Sequence, residues 1–112
     1  MKEIRLCIHP FEMGDGKEAA LKPLEEAAET FAAWQNCTPF DMEPASSLEL
    51  NGHSVLLWVK QKKIRRKMLA DEIADTIQAA CNLAARYDID LGAAMERCET
   101  RNRDRGRYPL SD

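Results

Sequence analysis

The apolar residues between Met68 and Tyr87 recur with the period of an α-helix and cover most of its circumference. At about 100° per residue they form a wide arc, which is typical of a helix that its neighbours largely bury. The arc consists of Leu69, Ile73, Ile77, Ala80, Cys81, Leu83 and Ala84. The narrow remaining face carries Glu72, Asp75, Asn82 and Arg86, with Ala79 among them. Carboxylates on such a face either point to solvent or, if buried, need a partner or a cation.

A second helix is predicted from Glu18 to Gln35. Its apolar side carries Leu21, Leu24, Ala28, Phe31 and Trp34, and the adjacent side carries Glu25, Glu26 and Glu29. In each helix two carboxylates are spaced three residues apart, so they lie on neighbouring turns and can converge on one ion. These pairs are Glu26 with Glu29 and Glu72 with Asp75. Two such helices facing each other supply four oxygen ligands, which suit Mg²⁺ or Mn²⁺.

Capping and turn residues set the expected ends of the first helix. Asp15 is a candidate N-cap, but Pro23 falls within the helical pattern and is expected to delay the start to about Leu21. The helix is expected to end between Asn36 and Pro39. Before it, charged and apolar residues alternate from Glu3 to Ile8, which predicts a short strand.

The second half of the chain is expected to be helical apart from turns. Residues 40–52 are rich in Pro, Ser, Asn and Gly and are expected to form a loop. From Ser54 the pattern is helical and includes a basic run from Lys60 to Lys67; the helix either continues unbroken into Met68 or bends near Lys67. This run is either a solvated face or a phosphate-steering or subunit-contact surface. A turn at residues 88–90 precedes a last helix from Leu91 to Arg101.

These elements predict one all-α domain over residues 1–112, an antiparallel helical bundle whose first and second long helices pack together. The core is expected over about residues 21–108, with 40–67 as a variable linker and helix. The apolar arc of the second helix is wider than the other helices of a 112-residue chain can cover. A homodimer or homotetramer is therefore expected, with an active site that a neighbouring subunit completes.

Composition excludes several classes of protein. The chain is 45% hydrophobic and 31% charged, which is typical of a globular protein, and no apolar run approaches membrane-spanning length. The N-terminus lacks the apolar core of a signal peptide, so a cytoplasmic location is expected. The four cysteines form no C-x-x-C pair and are expected to be reduced. A formal net charge of -3 argues against general nucleic-acid binding.

The C-terminal segment is rich in arginine. Five arginines lie between Glu96 and Tyr108, namely Arg97, Arg101, Arg103, Arg105 and Arg107. The guanidinium group is a planar fork of donors suited to phosphate oxygens. Beside an acidic metal site, this cluster indicates a ligand with several phosphates. Alone, such a basic tail is more often solvated or nucleic-acid-seeking.

With these residues together, the sequence resembles the MazG-like nucleoside triphosphate pyrophosphohydrolases, an all-α superfamily that includes dimeric dUTPases and phosphoribosyl-ATP pyrophosphohydrolase. The family pattern E-E-x-x-E, followed after a spacer by E-x-x-D, is present as Glu25-Glu26-Ala27-Ala28-Glu29 and Glu72-Ile73-Ala74-Asp75. The Asn-x-x-Arg of the family's last segment is present as Asn102 and Arg105. The resemblance spans roughly residues 21–108 and leaves the N-terminal segment unexplained.

The resemblance implies a role for each matching residue. Glu26, Glu29, Glu72 and Asp75 would ligate Mg²⁺, with Mn²⁺ as an alternative, and Glu25 would orient water or support the ligands. Asn102 and Arg105 would contact the nucleotide or its phosphates, and Asn82 the sugar or base. Trp34 would either stack on a base or belong to the core.

The chain departs from the family pattern in two places. A lysine that the family often has four residues before the tail asparagine is Cys98 here, so phosphate binding would shift to Arg101 or Arg97. The spacer between the acidic pairs is also long, which makes residues 41–67 a candidate for shaping substrate choice.

The reaction implied is Mg²⁺-dependent hydrolysis of a (d)NTP to the (d)NMP and pyrophosphate. A narrower alternative is a phosphoribosyl-ATP pyrophosphohydrolase-like enzyme. Two further classes stay open: a non-catalytic helical interaction module, which predicts no metal dependence, and a small nucleic-acid-binding protein, which predicts binding that weakens steeply with salt.

Overall fold

The structure, a computed structural model, describes residues 2–41 and 52–109. Helix α1 spans Gly16–Cys37, α2 spans Gly52–Arg86 and α3 spans Leu91–Asp104, and a short 3-10 helix covers Thr38–Phe40. The all-α class is thus confirmed for the described residues. Most of the loop predicted at 40–52 lies outside them.

The strand predicted from Glu3 to Ile8 is wrong. Residues 2–15 contain neither helix nor strand. In the described part of the chain no backbone hydrogen bond joins residues 3–8 to a second extended segment, and a strand needs such a partner.

Helix α1 begins earlier than predicted. Asp15 is its N-cap, and the Asp15 side chain accepts a hydrogen bond of 2.9 Å from the backbone N–H of Glu18. Pro23 therefore lies inside the helix rather than in its first turn, and the start delayed to Leu21 is wrong. A well-formed cap at Asp15 stabilises the turns before Pro23, whose ring removes one internal hydrogen bond.

Helix α2 runs unbroken through the basic segment and into the acidic one, which answers the question that the sequence left open. Two of the basic side chains in the run lie over aromatic rings. The ammonium group of Lys62 is 5.2 Å from the ring centroid of Trp58, and the guanidinium carbon of Arg65 is 5.9 Å from that of Phe40. The contact of Arg65 with Phe40 joins the 3-10 helix to α2, whereas Lys62 and Trp58 both lie on α2.

The predicted pairing of α1 with α2 is present, but their contact uses an unexpected side of α1. The residues of α1 that are buried are Ala19, Glu26, Ala33 and Cys37. They are seven, seven and four apart and so form one stripe, which faces α2. The apolar side stays largely uncovered, with Leu24 68% exposed and Phe31 57% exposed.

In α2 the inversion is partial, because Ala84 of the apolar arc is buried together with Ala79 and Asn82 of the narrow polar face. These are the most buried positions of α2, whereas Ile73 in the apolar arc is 45% exposed and the neighbouring Met68 49% exposed. Small and polar residues fill the space between the two helices because small side chains let helix backbones approach closely. The larger apolar side chains point away from that contact.

Helix α3 follows a turn in which Asp88 has a positive φ of 51°. Asp90 caps α3 by accepting a hydrogen bond from the backbone N–H of Ala93. At its other end Gly106 has φ 70°, a conformation that glycine adopts without strain, and the Arg107 N–H bonds the Asn102 carbonyl. Helix α3 makes almost no contact with α1 or α2.

The four cysteines are free, in line with the reduced state expected from the sequence; Cys37 is buried and Cys81 half-buried. No helix of the described residues is long and apolar enough to cross a membrane.

Candidate metal centre

Three carboxylates from two helices converge between α1 and α2. Glu26 and Glu29 come from α1 and Glu72 from α2, and one oxygen of each lies within 4.8 Å of the others. The spacing of three in α1 places its two glutamates on neighbouring turns, and the packing of α2 against α1 brings the third to them. The convergence predicted for these three residues is thus present.

Two of the three carboxylates are poorly satisfied. Glu26 is only 7% exposed and Glu72 is half-buried. Oε2 of each is buried without a hydrogen-bond partner in the described residues. A buried charged oxygen without a partner is costly, so these two atoms require a compensating group.

Lysine 22 supplies one positive charge at the edge of the cluster. Its ammonium group is 3.2 Å from Oε1 of Glu26 and 3.6 Å from Oε2 of Glu25. The hydrogen bond and the charge of Glu26 raise the pKa of Lys22, so it stays protonated. Lys22 contacts the other oxygen of Glu26 and leaves Oε2 unpaired.

The crowding of negative charge raises the pKa of Glu29. A hydrogen bond with Glu26, the charge of Glu26, partial burial and the charge of Glu72 together raise the pKa of Glu29. Like charges at short range disfavour the ionised form, and a shared proton relieves part of their repulsion. A divalent cation would relieve the same repulsion.

Two threonines fix the register of the helices at the level of the cluster. The Thr30 hydroxyl bonds the Glu26 carbonyl, and the Thr76 hydroxyl bonds the Glu72 carbonyl, each four residues back. The two hydroxyls lie 3.0 Å apart. Each has one proton, so the hydroxyl that donates across the helix pair gives up its bond to its own carbonyl, while the other keeps its bond. This contact aligns one turn of α1 with one turn of α2 and so brings the glutamates opposite each other.

The donor set fits a hard divalent cation. It consists of carboxylate oxygens alone, which Mg²⁺ and Mn²⁺ prefer over nitrogen or sulfur ligands. The buried, unpartnered oxygens of Glu26 and Glu72 are atoms that a bound cation would satisfy.

The remaining acidic residues expected at the site lie around this cluster. Asp75 is exposed and outside the group of three, but it lines a small cavity together with Glu26 and Lys22. Glu25 is exposed and shares Lys22 with Glu26. Both therefore stand beside the cluster.

The substrate-binding residues expected from the sequence divide into two groups. Asn82 is buried, lines the small cavity beside Glu26, and also lines a larger one. Arg101, Asn102 and Arg105 lie on or directly after α3, and none of them lines a cavity with the carboxylates. The Asn102 amide instead donates to the Tyr108 hydroxyl at 3.4 Å.

Trp34 is also apart from the cluster. It stacks on Phe31 with ring centroids 5.6 Å apart, and it is 47% exposed. Neither of the two alternatives given for Trp34 describes this position, because it lines none of the cavities beside the carboxylates and is not buried within the chain.

Sequence reasoning missed several residues at the site. Lys22 was detectable, because it precedes Glu26 by four residues and Glu25 by three, the spacings of helical ion pairs. The repeat of a threonine four residues after a glutamate in both helices was a second signal. The contacts of residues 9–14 with α2 had no local signal, because they join segments about 70 residues apart.

Comparisons of the chain with models of protein families, with curated proteins and with solved structures gave no match.

Proposed function

We propose that this protein is a Mg²⁺-dependent nucleoside triphosphate pyrophosphohydrolase of the MazG-like type. The observation that carries the proposal is the convergence of Glu26, Glu29 and Glu72 within 4.8 Å, with two buried oxygens that have no partner in the described residues. This cluster falls on the two acidic motifs through which the sequence resembles that family.

The ligands would be Glu26, Glu29 and Glu72, with Asp75 one turn after Glu72 completing the set by a change of side-chain rotamer. When bound, Mg²⁺ (or Mn²⁺) would neutralise phosphate charge and lower the pKa of a water molecule near the α-phosphorus. Glu25, exposed and next to the cluster, is placed to orient that water. Lys22, whose ammonium group is 3.2 Å from Oε1 of Glu26, is a cation of this chain that would contact the phosphates.

The reaction follows from the charge of the substrate. A triphosphate brings several negative charges to a cluster that is itself negative, so the chain must supply cations as well as ligands. Attack of water in line with the pyrophosphate leaving group yields a nucleoside monophosphate and pyrophosphate. Arginine side chains suit the charge that develops on the leaving group.

We propose further that the active unit is a homo-oligomer. The radius of gyration is 18.9 Å, whereas a compact chain of this length has one of about 13 Å. The accessible surface is 9106 Å², against about 6,200 Å² for a compact monomer of this mass. The difference is about 2,900 Å² for each copy, or about 5,800 Å² for two copies, which is at the upper end of what obligate interfaces bury in total.

A second copy would also place arginines at the site. The chain's own Arg101 and Arg105 lie on or directly after α3, which makes almost no contact with the helices of the carboxylate cluster. In a dimer or tetramer, the same segment of a neighbouring copy can reach the cluster.

The experiment that tests the proposed reaction is pyrophosphate release from a panel of NTPs, dNTPs and phosphoribosyl-ATP, with Mg²⁺ and with EDTA. Release is expected with Mg²⁺ only, with the nucleoside monophosphate as co-product. Glu72→Gln is expected to reduce the rate by at least a hundredfold, which is about 2.7 kcal/mol of transition-state stabilisation.

Asp71→Asn is the matched control, because Asp71 is the preceding residue of α2, is exposed and lies outside the cluster. It is expected to keep the wild-type rate. If a folded, Mg²⁺-loaded protein releases pyrophosphate from none of these substrates, the assignment is wrong and a non-catalytic interaction module becomes the better account.

A further inference from the structure

Two adjoining cavities lead from the carboxylate cluster to the N-terminal segment. The smaller, of about 190 Å³, is lined by Glu26, Asp75 and other residues of α1 and α2. The larger, of about 600 Å³, is lined by residues 10–13 and by the end of α2. Both have Phe11, Met13 and Asn82 as wall residues, so the two cavities lie next to each other. The larger volume lies in the range of small-molecule sites.

The N-terminal segment is tied to α2 by hydrogen bonds at three levels. The Gln78 amide donates to the His9 carbonyl at 3.1 Å. The Phe11 N–H donates to Oδ1 of Asn82 at 2.9 Å, and Arg86 donates to the Gly14 carbonyl at 3.0 Å. Gln78, Asn82 and Arg86 are four residues apart and so form one stripe along α2. We call residues 9–14 the strap.

The hydrogen bonds of Asn82 set which chemistry it presents to the cavity. Its Oδ1 accepts from the Phe11 N–H and from the Gln78 amide, both at 2.9 Å. A backbone N–H is only a donor, so the oxygen of the Asn82 amide must point to the strap. Its Nδ2 makes no hydrogen bond within the described residues and remains a donor beside both cavities.

Phe11 supplies an apolar surface to the same space. Its ring is 56% exposed although its backbone is fixed by Asn82. An exposed ring on an anchored backbone, in the wall of a cavity, suits stacking on a planar ligand. Every nucleobase has such a face, so stacking on an aromatic side chain is tolerant of the identity of the base.

We infer that the strap forms one wall of a nucleobase subsite, with Phe11 stacking on the base and Asn82 Nδ2 donating to a carbonyl oxygen on its edge. This inference rests on the proposed function. It names the base as the part of the nucleotide that the larger cavity holds. The phosphates then extend through the smaller cavity to Glu26. Asn82 lies ten residues after Glu72, about 15 Å along the helix, which leaves room for the rest of the nucleotide.

The polarity of Asn82 selects among bases. Guanine, thymine and uracil present a carbonyl acceptor where adenine and cytosine present an exocyclic amine. A fixed amide donor therefore favours the first group. Asn82→Asp keeps an oxygen that can accept from the Phe11 N–H but replaces the donor with an acceptor, and so reverses the preference.

The test measures kcat/KM for the keto and amino dNTPs, and the dissociation constants of the matching monophosphates, which need no turnover. Phe11→Ala is expected to lower kcat/KM and the affinity for the monophosphate by roughly five- to a hundredfold for every base. Phe11→Trp is expected to restore both quantities. Asn82→Asp is expected to lower the ratio of keto to amino substrates at least tenfold. Phe40→Leu, which alters an aromatic residue packed on Trp58 away from both cavities, is the control.

The outcomes separate this inference from the proposed function. If pyrophosphate is released but Phe11→Ala and Asn82→Asp leave both the affinities and the base ratio unchanged, the subsite is wrong and the hydrolase stands. If no triphosphate is cleaved, monophosphate binding that depends on Phe11 and Asn82 supports the subsite without the reaction. Monophosphate binding that these variants leave unchanged, or no such binding, overturns the subsite. Circular dichroism of each variant excludes unfolding as the cause.

Discussion

At the scale of single residues, the proposed metal centre depends on carboxylate oxygens that have no hydrogen-bond partner in the described part of the chain. Glu26 and Glu72 each hold a buried oxygen without a hydrogen-bond partner in the described residues, and Glu29 lies beside both. Lys22 pairs with the other oxygen of Glu26 and with Glu25. The site therefore favours either a retained proton or a bound cation.

The pH dependence of stability follows from this crowding. In the metal-free fold Glu26 and Glu72 raise the pKa of Glu29 above its value in the unfolded chain. The folded state then binds more protons than the unfolded state. The contribution of Glu29 to the free energy of unfolding is therefore fully present below its unfolded-state pKa and is lost as pH rises through its folded-state pKa. In EDTA, Glu29→Gln is expected to gain stability relative to wild type as pH rises from below to above the ordinary glutamate pKa of about 4.3. Urea unfolding across this range measures the difference, and a difference independent of pH would contradict it.

At the scale of elements, the helices meet through small and polar residues. The hydroxyl contact of Thr30 with Thr76 lies at the level of the glutamates and gives α1 and α2 one register. At the end of α1 the Cys37 thiol bonds the Arg65 carbonyl. Hydrogen bonds between the two helices thus lie before and after Ala33 of α1. They fix the position of the glutamates of α1 relative to Glu72.

The contribution of this register contact is measurable. Thr76→Val removes the hydroxyl at nearly constant volume and is expected to lower the free energy of unfolding by about 1 kcal/mol. Thr100→Val in α3 is the matched control, because Thr100 bonds the carbonyl four residues back but has no partner on another helix. Denaturant titrations at one protein concentration compare the two variants. Equal losses would show that the cross-helix bond adds nothing.

The sequence predicted helix type and the acidic motifs well, because periodicity and spacing are local properties. It misjudged the start of α1, where the cap at Asp15 prevailed over Pro23. It did not predict which side of α1 and of α2 forms the contact between them. A wide apolar arc can be buried either by the same chain or by another copy of it. Contacts such as Phe11 with Asn82 depend on the tertiary path and have no signal in either segment.

At the scale of the whole molecule, the apolar side chains that helices usually bury face outward. Leu24 and Phe31 on α1, and Leu57 and Ile73 on α2, are all between 45% and 68% exposed. Apolar surface of this extent is rare on a stable monomer. A homo-oligomer in which α1 and α2 of two copies pack together would bury it.

A charged substitution on the exposed apolar side of α1 tests the proposed oligomer. Leu24→Glu places a charge in the exposed apolar stripe of α1 that also carries Phe31. It is expected to shift the protein to a 12.7 kDa monomer in sedimentation equilibrium. Asn36→Glu adds the same charge to an exposed polar position of α1 on the flank of that stripe and is expected to leave the assembly intact. A wild-type protein that sediments as a monomer at tens of micromolar would refute the oligomer.

The most direct test of the central claim is a calorimetric titration of Mn²⁺ or Mg²⁺ into wild type, Glu72→Gln and Asp71→Asn. Saturable binding is expected in wild type and in Asp71→Asn. Glu72→Gln, which removes one of the three converging carboxylates, is expected to bind at least tenfold more weakly. Equal affinity in Glu72→Gln and wild type, or no binding in any of the three, would contradict a metal centre between α1 and α2.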